Sequence, residues 1–440
     1  MATLRRYRWD GGILHYPRRV LRAPKGLAGD SGAILFAALT YFNVSTFGFH
    51  VVVSRLLGPA QYGALGAVLV LTSLAGNATG AASTAVTRTV AVAGAGRVSW
   101  DVRRARRRGL VAAGVTLVLV AALAPVLERY LHLGSAVPVL LLAVLAAAIL
   151  AGLLPRGVLM GEKRFAPVAI GLATGVTIKL ILGAVLASTM GVPGAVAAAA
   201  AGECITTLLY YRALGPSRAG TELRVPGRSF SLASGAYAGF WLLAAADTFL
   251  ARHLLSATSS GLYVAASTAG SIALFLPNNI TLTVFPSLAG AAGDDRAPPG
   301  TFGAALLAAG ALTVAGAGVL ALLPSLVVAI LFGPSFKAAS AILVLLAVSN
   351  GAQGMISFLL HHQLAHHRLT CLLPWLGLGA LAVAANAAHH SPTQIAGEAL
   401  VISVTLVAVM AVVSLRMVMA RVGDEEPEGL VPLPAGFVKD

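Results

Sequence analysis

Twelve stretches of about 20 mostly apolar residues run along this chain, each long enough to cross the roughly 30 Å hydrocarbon core of a bilayer as a helix. They fall near 30–53, 62–84, 109–128, 136–155, 166–188, 191–211, 231–251, 259–283, 301–323, 338–360, 370–388 and 395–418. Twelve such runs in 440 residues leave room for little else. Charged residues make up 11% of the chain, against roughly 25% in a soluble domain, whose surface must be solvated. The pattern predicts an all-α integral membrane protein with about 12 transmembrane helices and no sizeable soluble domain. Aromatics are few, and Ala, Leu, Val and Gly dominate, which suits helices packed through small residues. The apolar run 324–334 is too short to span and is expected to extend a neighbouring helix or lie at the interface.

Lys and Arg set the orientation, because basic connections stay on the cytoplasmic side. With the N-terminus inside, all but five of the 31 basic residues fall in cytoplasmic segments. The cluster Arg103, Arg104, Arg106, Arg107, Arg108 is the densest of these, a topology determinant that touches anionic lipids. Externally there remain Arg55, Arg129, Arg252 and Lys337, and Lys179 lies within a span. The excess of +15 is thus explained by topology. A nucleic-acid site would need aromatics interleaved with the basic residues on a polar face, and none is visible. The two cysteines, Cys204 and Cys371, sit in apolar surroundings and imply no disulfide framework.

Five segments follow: a basic cytoplasmic segment 1–29, a six-helix lobe 30–212, a cytoplasmic linker 213–230, a second six-helix lobe 231–420 and an acidic, disordered tail 421–440. Segment 1–29 is too long and basic, and too rich in proline, for a signal peptide. A short repeat supports two halves. Leu56-Leu57-Gly58, followed by Gly63, matches Leu254-Leu255-Ser256, followed by Gly261, at a constant offset of 198. Six helices per half gives both halves the same orientation, the parallel repeat of two-lobed transporters.

The segment Ser54-Arg55-Leu56-Leu57-Gly58-Pro59-Ala60-Gln61-Tyr62-Gly63, between two spans, resembles the N-terminal signature of polysaccharide (Wzx-like) flippases. These belong to the multidrug/oligosaccharidyl-lipid/polysaccharide exporter superfamily. Three further stretches are similar in place and pattern: Gly157 to Phe165, Tyr263 to Ala289, and Leu331 to Ala339. Where the family commonly carries Tyr in the last of these, the chain has Phe336. The resemblance covers about 30 to 420. It implies two lobes around a cavity that opens alternately to each face, and a lipid-linked oligosaccharide or polysaccharide precursor flipped to the external leaflet. It further implies a bacterial cell membrane, with glycosyltransferase or polymerase partners.

An anionic head group crossing a hydrophobic slab calls for basic residues in a polar cavity, and ionisable residues inside spans mark such places. Lys179 is the first candidate for the substrate phosphate, with Glu203 either its structural partner or an ion-coupling group. Arg55 and Arg252, after the first helix of each half, are candidates for the external mouth, and Arg88 for the cytoplasmic one; the alternative for each is interfacial anchoring. Asp247 is placed to couple transport to H⁺ or Na⁺, or to pair with Lys179 or Arg252. Glu398, in the first turn of its helix, is sufficiently explained by the helix dipole. His361, His362, His366 and His367 form a cluster in what reads as a short cytoplasmic connection; without the His-Glu-x-x-His pattern it is not assigned a metal.

No phosphate-binding Gly-x₄-Gly-Lys-Ser/Thr loop exists, no cofactor is implied, and no constellation suggests catalysis. Three other readings remain: a drug or small-molecule cation antiporter of the same fold, a membrane-embedded polysaccharide ligase or glycosyltransferase, and a channel or scaffold. An antiporter for cations should have an acidic, aromatic cavity, and a ligase a long external loop.

Overall fold

The computed structural model describes residues 28–93, 102–215, 227–274, 300–366 and 368–424. The apolar stretches are largely helical over their described parts, with 109–128 divided between two helices. Among the described residues, eight helices are long and apolar enough to cross a membrane, nine when one bent pair counts as a single span.

The continuous helical stretch Ala28–Ala93 breaks at Gly58, which has φ 69° and ψ 174°. That left-handed φ is available to glycine at little cost, and Pro59 behind it has no N–H to continue the ladder. The break divides α1 (28–57) from α2 (59–93). His50 Nδ1 lies 3.1 Å from Tyr62 Oη, although twelve residues of straight helix would span roughly 18 Å. The chain therefore folds back on itself at Gly58.

After α3 (Val102–Ala122) comes the short α4 (Ala124–Tyr130), bent by 49° from it. The sequence predicts one span over 109–128; Pro125 at the start of α4 explains the bend, since its ring cannot sit inside a straight helix. The half is completed by α5 (Val137–Gly161), α6 (Phe165–Met190) and α7 (Val192–Leu214). The second half repeats the plan with α8 (Gly227–Leu254), α9 (257–274), α10 (Gly300–Leu322) and the short α11 (Pro324–Phe332). A 3₁₀ turn (Pro334–Ala339) then leads to α12 (Ser340–Ala365), α13 (Leu373–Ala387) and α14 (Pro392–Asp424). Thus 324–334 forms its own short helix, the counterpart of α4. The expected linker is helical up to Leu214 and again from Gly227, and the expected tail is helical to Asp424; 1–27, 216–226 and 425–440 lie outside the described residues.

The arrangement of the cores defines the shape. One hydrophobic cluster is shared by both halves: Phe49, Tyr62, Leu65 and Val68 pack with Tyr263, Val264, Phe332 and Leu343. Two others each belong to one half, around Val86, Leu159 and Tyr210, and around Phe240, Phe358 and Met410. The halves are therefore fused at the end carrying Gly58, Leu131, Ser256 and Gly333, and have separate cores toward the other end. Arg156, Lys163, Arg164, Arg212 and Arg368 belong to that second, basic end.

At the fused end the repeat-related glycines meet. A Cβ on Gly63 would lie 2.7 Å from the Gly261 nitrogen, and one on Gly261 would run into the Pro59 carbonyl. Only glycine permits this approach of α2 to α9. Gly261→Ala should wedge the halves apart and lower stability by about 1–3 kcal/mol, the usual cost of overpacking. A thermal unfolding scan in detergent reads it; an unchanged midpoint would show that the helices slide freely there.

Candidate functional site

Lys179 stands in the middle of α6, and the helix itself decides which way it faces. Ile170 (60% exposed) and Ile181 (58% exposed) mark the outward side. Counting about 100° per residue, Lys179 lies roughly opposite both. Its ammonium rests 4.5 Å from the centroid of the Phe49 ring on α1. Its Cβ passes close to Gly202 on α7, where a side chain would come within 3.2 Å of it.

Glu203, next along α7, feels two cations, Arg156 first and Lys179 second. No carboxylate pairs directly with Lys179 among the described residues. The lysine thus carries a positive charge against an aromatic face, turned away from the outer surface, with its ammonium uncommitted to a salt bridge.

His50, next to Phe49, extends this site toward the other half. Its Nδ1 meets Tyr62 Oη, which lies 3.4 Å from Thr268 Oγ1 on α9. The line Lys179, His50, Tyr62, Thr268 connects the interior of one half to the seam between them. Sequence reasoning missed His50 and Tyr62, because an isolated polar atom inside an apolar run has no periodic signature until the helices are paired.

The second half has its own buried polar file. Asp247 on α8 is 1% exposed; it accepts hydrogen bonds from the Thr248 N–H at 2.6 Å and the Tyr263 hydroxyl at 3.1 Å. Neither of the basic partners expected for it, Lys179 or Arg252, pairs with it among the described residues. On α12, Ser349, Gln353, Ser357 and His361 follow at intervals of four, so they line one face, and all are buried. Ser349 approaches Ser403 at 3.4 Å, and Asn350 donates to the Ser267 carbonyl at 3.2 Å. This stripe was legible in principle from its spacing.

The histidine cluster needs correction. His361 and His362 are not in a connection but in the last turns of α12, and both are buried. His361 Nε2 meets the Tyr237 hydroxyl at 2.5 Å, while the His362 ring packs on Phe302 and His366. The two rings diverge because adjacent helical positions face different sides. His367 lies outside the described residues. Among those described, no group of three His, Cys, Asp or Glu is gathered as a metal would need.

Both candidate mouth arginines are engaged at the fused end. Arg252 is 5% exposed. It donates from Nε to the Leu131 carbonyl at 2.8 Å, from Nη2 to the His132 carbonyl at 2.9 Å and from Nη1 to Ser260 Oγ at 3.1 Å. Arg55, which is exposed, donates to the Ile330 carbonyl. A cavity of ≈ 500 Å³ opens beside Arg252, lined by Gln61, Ser135, Met190 and Pro193 among others. The Arg88 side chain lies outside the described residues. Cys204 is exposed rather than buried, and Cys371 is buried.

These features define an all-α membrane protein of two halves, with a cation, Lys179, inside one half and a carboxylate, Asp247, inside the other. No family model matches the sequence, and no curated protein matches it. Solved structures do. An inward-facing multidrug resistance MATE family transporter of the MOP superfamily superposes with TM-score 0.68 at 12% identity, covering 88% of this chain and 96% of that one. The lipid II flippase MurJ in an inward closed conformation gives 0.67 at 13%, covering 90% and 94%. A MOP superfamily transporter from Pyrococcus furiosus, described as having reversed polarity of its binding pocket, gives 0.53 at 16%, covering 90% and 94%. The chain has the fold of these transporters.

Proposed function

We propose that the chain moves an anionic, sugar-bearing lipid head group between leaflets by alternating access, with Lys179 as the counter-charge for its phosphate. The observation that carries the reading is the position of Lys179: turned inward on α6, against Phe49, without a salt bridge. A half-buried cation inside a span and without a direct partner is costly, and an anionic cargo is what offsets that cost. The fold is compatible, since one of the similar structures is a lipid II flippase. The fused end is read as external and the basic end as cytoplasmic, in keeping with the bias of Lys and Arg.

A cation antiporter with the same fold is the second reading, favoured by Asp247 and by the multidrug transporter neighbour. Pocket charge separates them, because a cation would be repelled by Lys179 and an anion drawn to it. The deciding experiment reconstitutes the protein in liposomes with a fluorescent polyprenyl-pyrophosphate sugar and measures arrival at the far leaflet. Export of a cationic dye in its place, with no movement of the lipid, would sink the flippase reading.

A further inference from the structure

The two arginines at the fused end are repeat-related in what they grip as well as in where they stand. Each follows the first helix of its half, Arg55 at the end of α1 and Arg252 at the end of α8. Each reaches across the seam to a backbone carbonyl near the end of the other half's short helix. Arg252 takes Leu131 and His132, just past α4, and Arg55 takes Ile330, in the last turn of α11. Ile330 stands 198 positions after His132, the same offset that relates Leu254 to Leu56 and Gly261 to Gly63. The donors are offset by 197, one residue short.

The chemistry favours these partners. The last carbonyls of a helix have no donor within it and carry the negative end of the helix dipole. A guanidinium fans several N–H groups in one plane and suits such clustered acceptors. Around Arg252 the grip is reinforced: His253 Nδ1 lies 2.8 Å from the Tyr130 carbonyl, and its ring stacks on Tyr130 at 3.8 Å between centroids. Around Arg55 the grip is lighter, one exposed bond with Tyr62 packed nearby on Phe332 and Phe336.

We propose that Arg252 and Arg55 form a reciprocal, unequal latch between the halves. Arg252 is the strong point and Arg55 the weak one, and together they bias the protein toward the state closed at the fused end. Opening that end requires both to leave their carbonyls. The proposal rests on the alternating-access reading above, yet it can be tested without any cargo. Because the acceptors are main-chain atoms, changing the exposed Ile330 side chain should not release the latch, whereas changing the arginines should.

The test uses the full chain in nanodiscs, with Cys204 and Cys371 replaced by alanine and spin labels on Ser135→Cys and Thr258→Cys, one on each half. Pulsed electron resonance then reads the distance across the fused end. Loss of one charge-assisted hydrogen bond shifts a two-state population by roughly tenfold, so Arg55→Ala should raise the long-distance fraction by about that factor. Arg252→Lys, which keeps the charge but cannot reach three acceptors at once, should raise it further. Ile330→Ala should leave it unchanged. The same distribution in parent, Arg55→Ala and Arg252→Lys overturns the latch. Should Arg252→Lys fail to fold, Arg55→Ala alone decides. Distances that respond in a protein that transports nothing would keep the latch and discard the transporter reading; unresponsive distances in an active transporter would do the reverse.

Discussion

Lys179→Ala is expected to slow head-group translocation by roughly a hundredfold while the protein still reaches the membrane and unfolds at its usual temperature. A charged group truncated from its partner in a desolvated site costs about 2–5 kcal/mol, and a hundredfold is about 2.7 kcal/mol. The fold should not suffer, because the ammonium has no salt bridge to lose and a charge inside a span is itself unfavourable. Glu203 keeps its stronger cationic neighbour, Arg156, when the lysine is gone. Lys179→Gln should behave like alanine, which isolates the charge from the length of the side chain. A purely structural lysine predicts the opposite pattern: unfolding temperature falls, transport falls only in proportion, and Glu203→Gln in the same chain restores both. That result, in liposome transport and thermal unfolding measured side by side, would remove Lys179 from the site.

The membrane-spanning helices were readable because a bilayer imposes a length on every helix that crosses it, and among the described residues eight helices, nine with the bent pair, meet that length. The turn at Gly58-Pro59 was likewise written in residues with no alternative backbone behaviour. Less of the interior was legible. The bend between α3 and α4 depends on Pro125, which lies in a run whose hydrophobicity alone reads as one continuous span. His361 and His362 looked like a polar connection because four histidines in seven residues mask the end of α12; their partners Tyr237 and Phe302 are remote in sequence. Arg55 and Arg252 stand near the ends of α1 and α8, but backbone carbonyls have no sequence signature, so their grip across the seam appears only once the halves are assembled. The weak 198-residue repeat becomes physical there, in the Gly63–Gly261 contact and in the paired acceptors His132 and Ile330.

Asp247→Asn carries the other large expectation, the loss of ion coupling without loss of the fold. The carboxylate is buried in the second half and held by two donors, Thr248 N–H and the Tyr263 hydroxyl. It has no cationic side chain paired with it among the described residues, since Arg252 is occupied with Leu131, His132 and Ser260. A coupling site requires a carboxylate held away from bulk water and without a fixed cationic partner, where a proton or small cation lowers the cost of its charge, and Asp247 has that setting. Asparagine keeps an oxygen for Tyr263 or Thr248 but cannot change its charge. A coupling free energy of about 1–3 kcal/mol corresponds to a 5- to 150-fold effect of a gradient; in Asp247→Asn that stimulation by an imposed H⁺ or Na⁺ gradient should collapse to none, with passive translocation retained. Asp247→Ala is a harsher change, because the buried Tyr263 hydroxyl loses its acceptor at about 1–3 kcal/mol, and its unfolding temperature should drop where that of the asparagine variant does not. If liposomes containing Asp247→Asn still respond to the gradient as the parent does, the carboxylate serves only to position Tyr263, and the driving ion binds elsewhere.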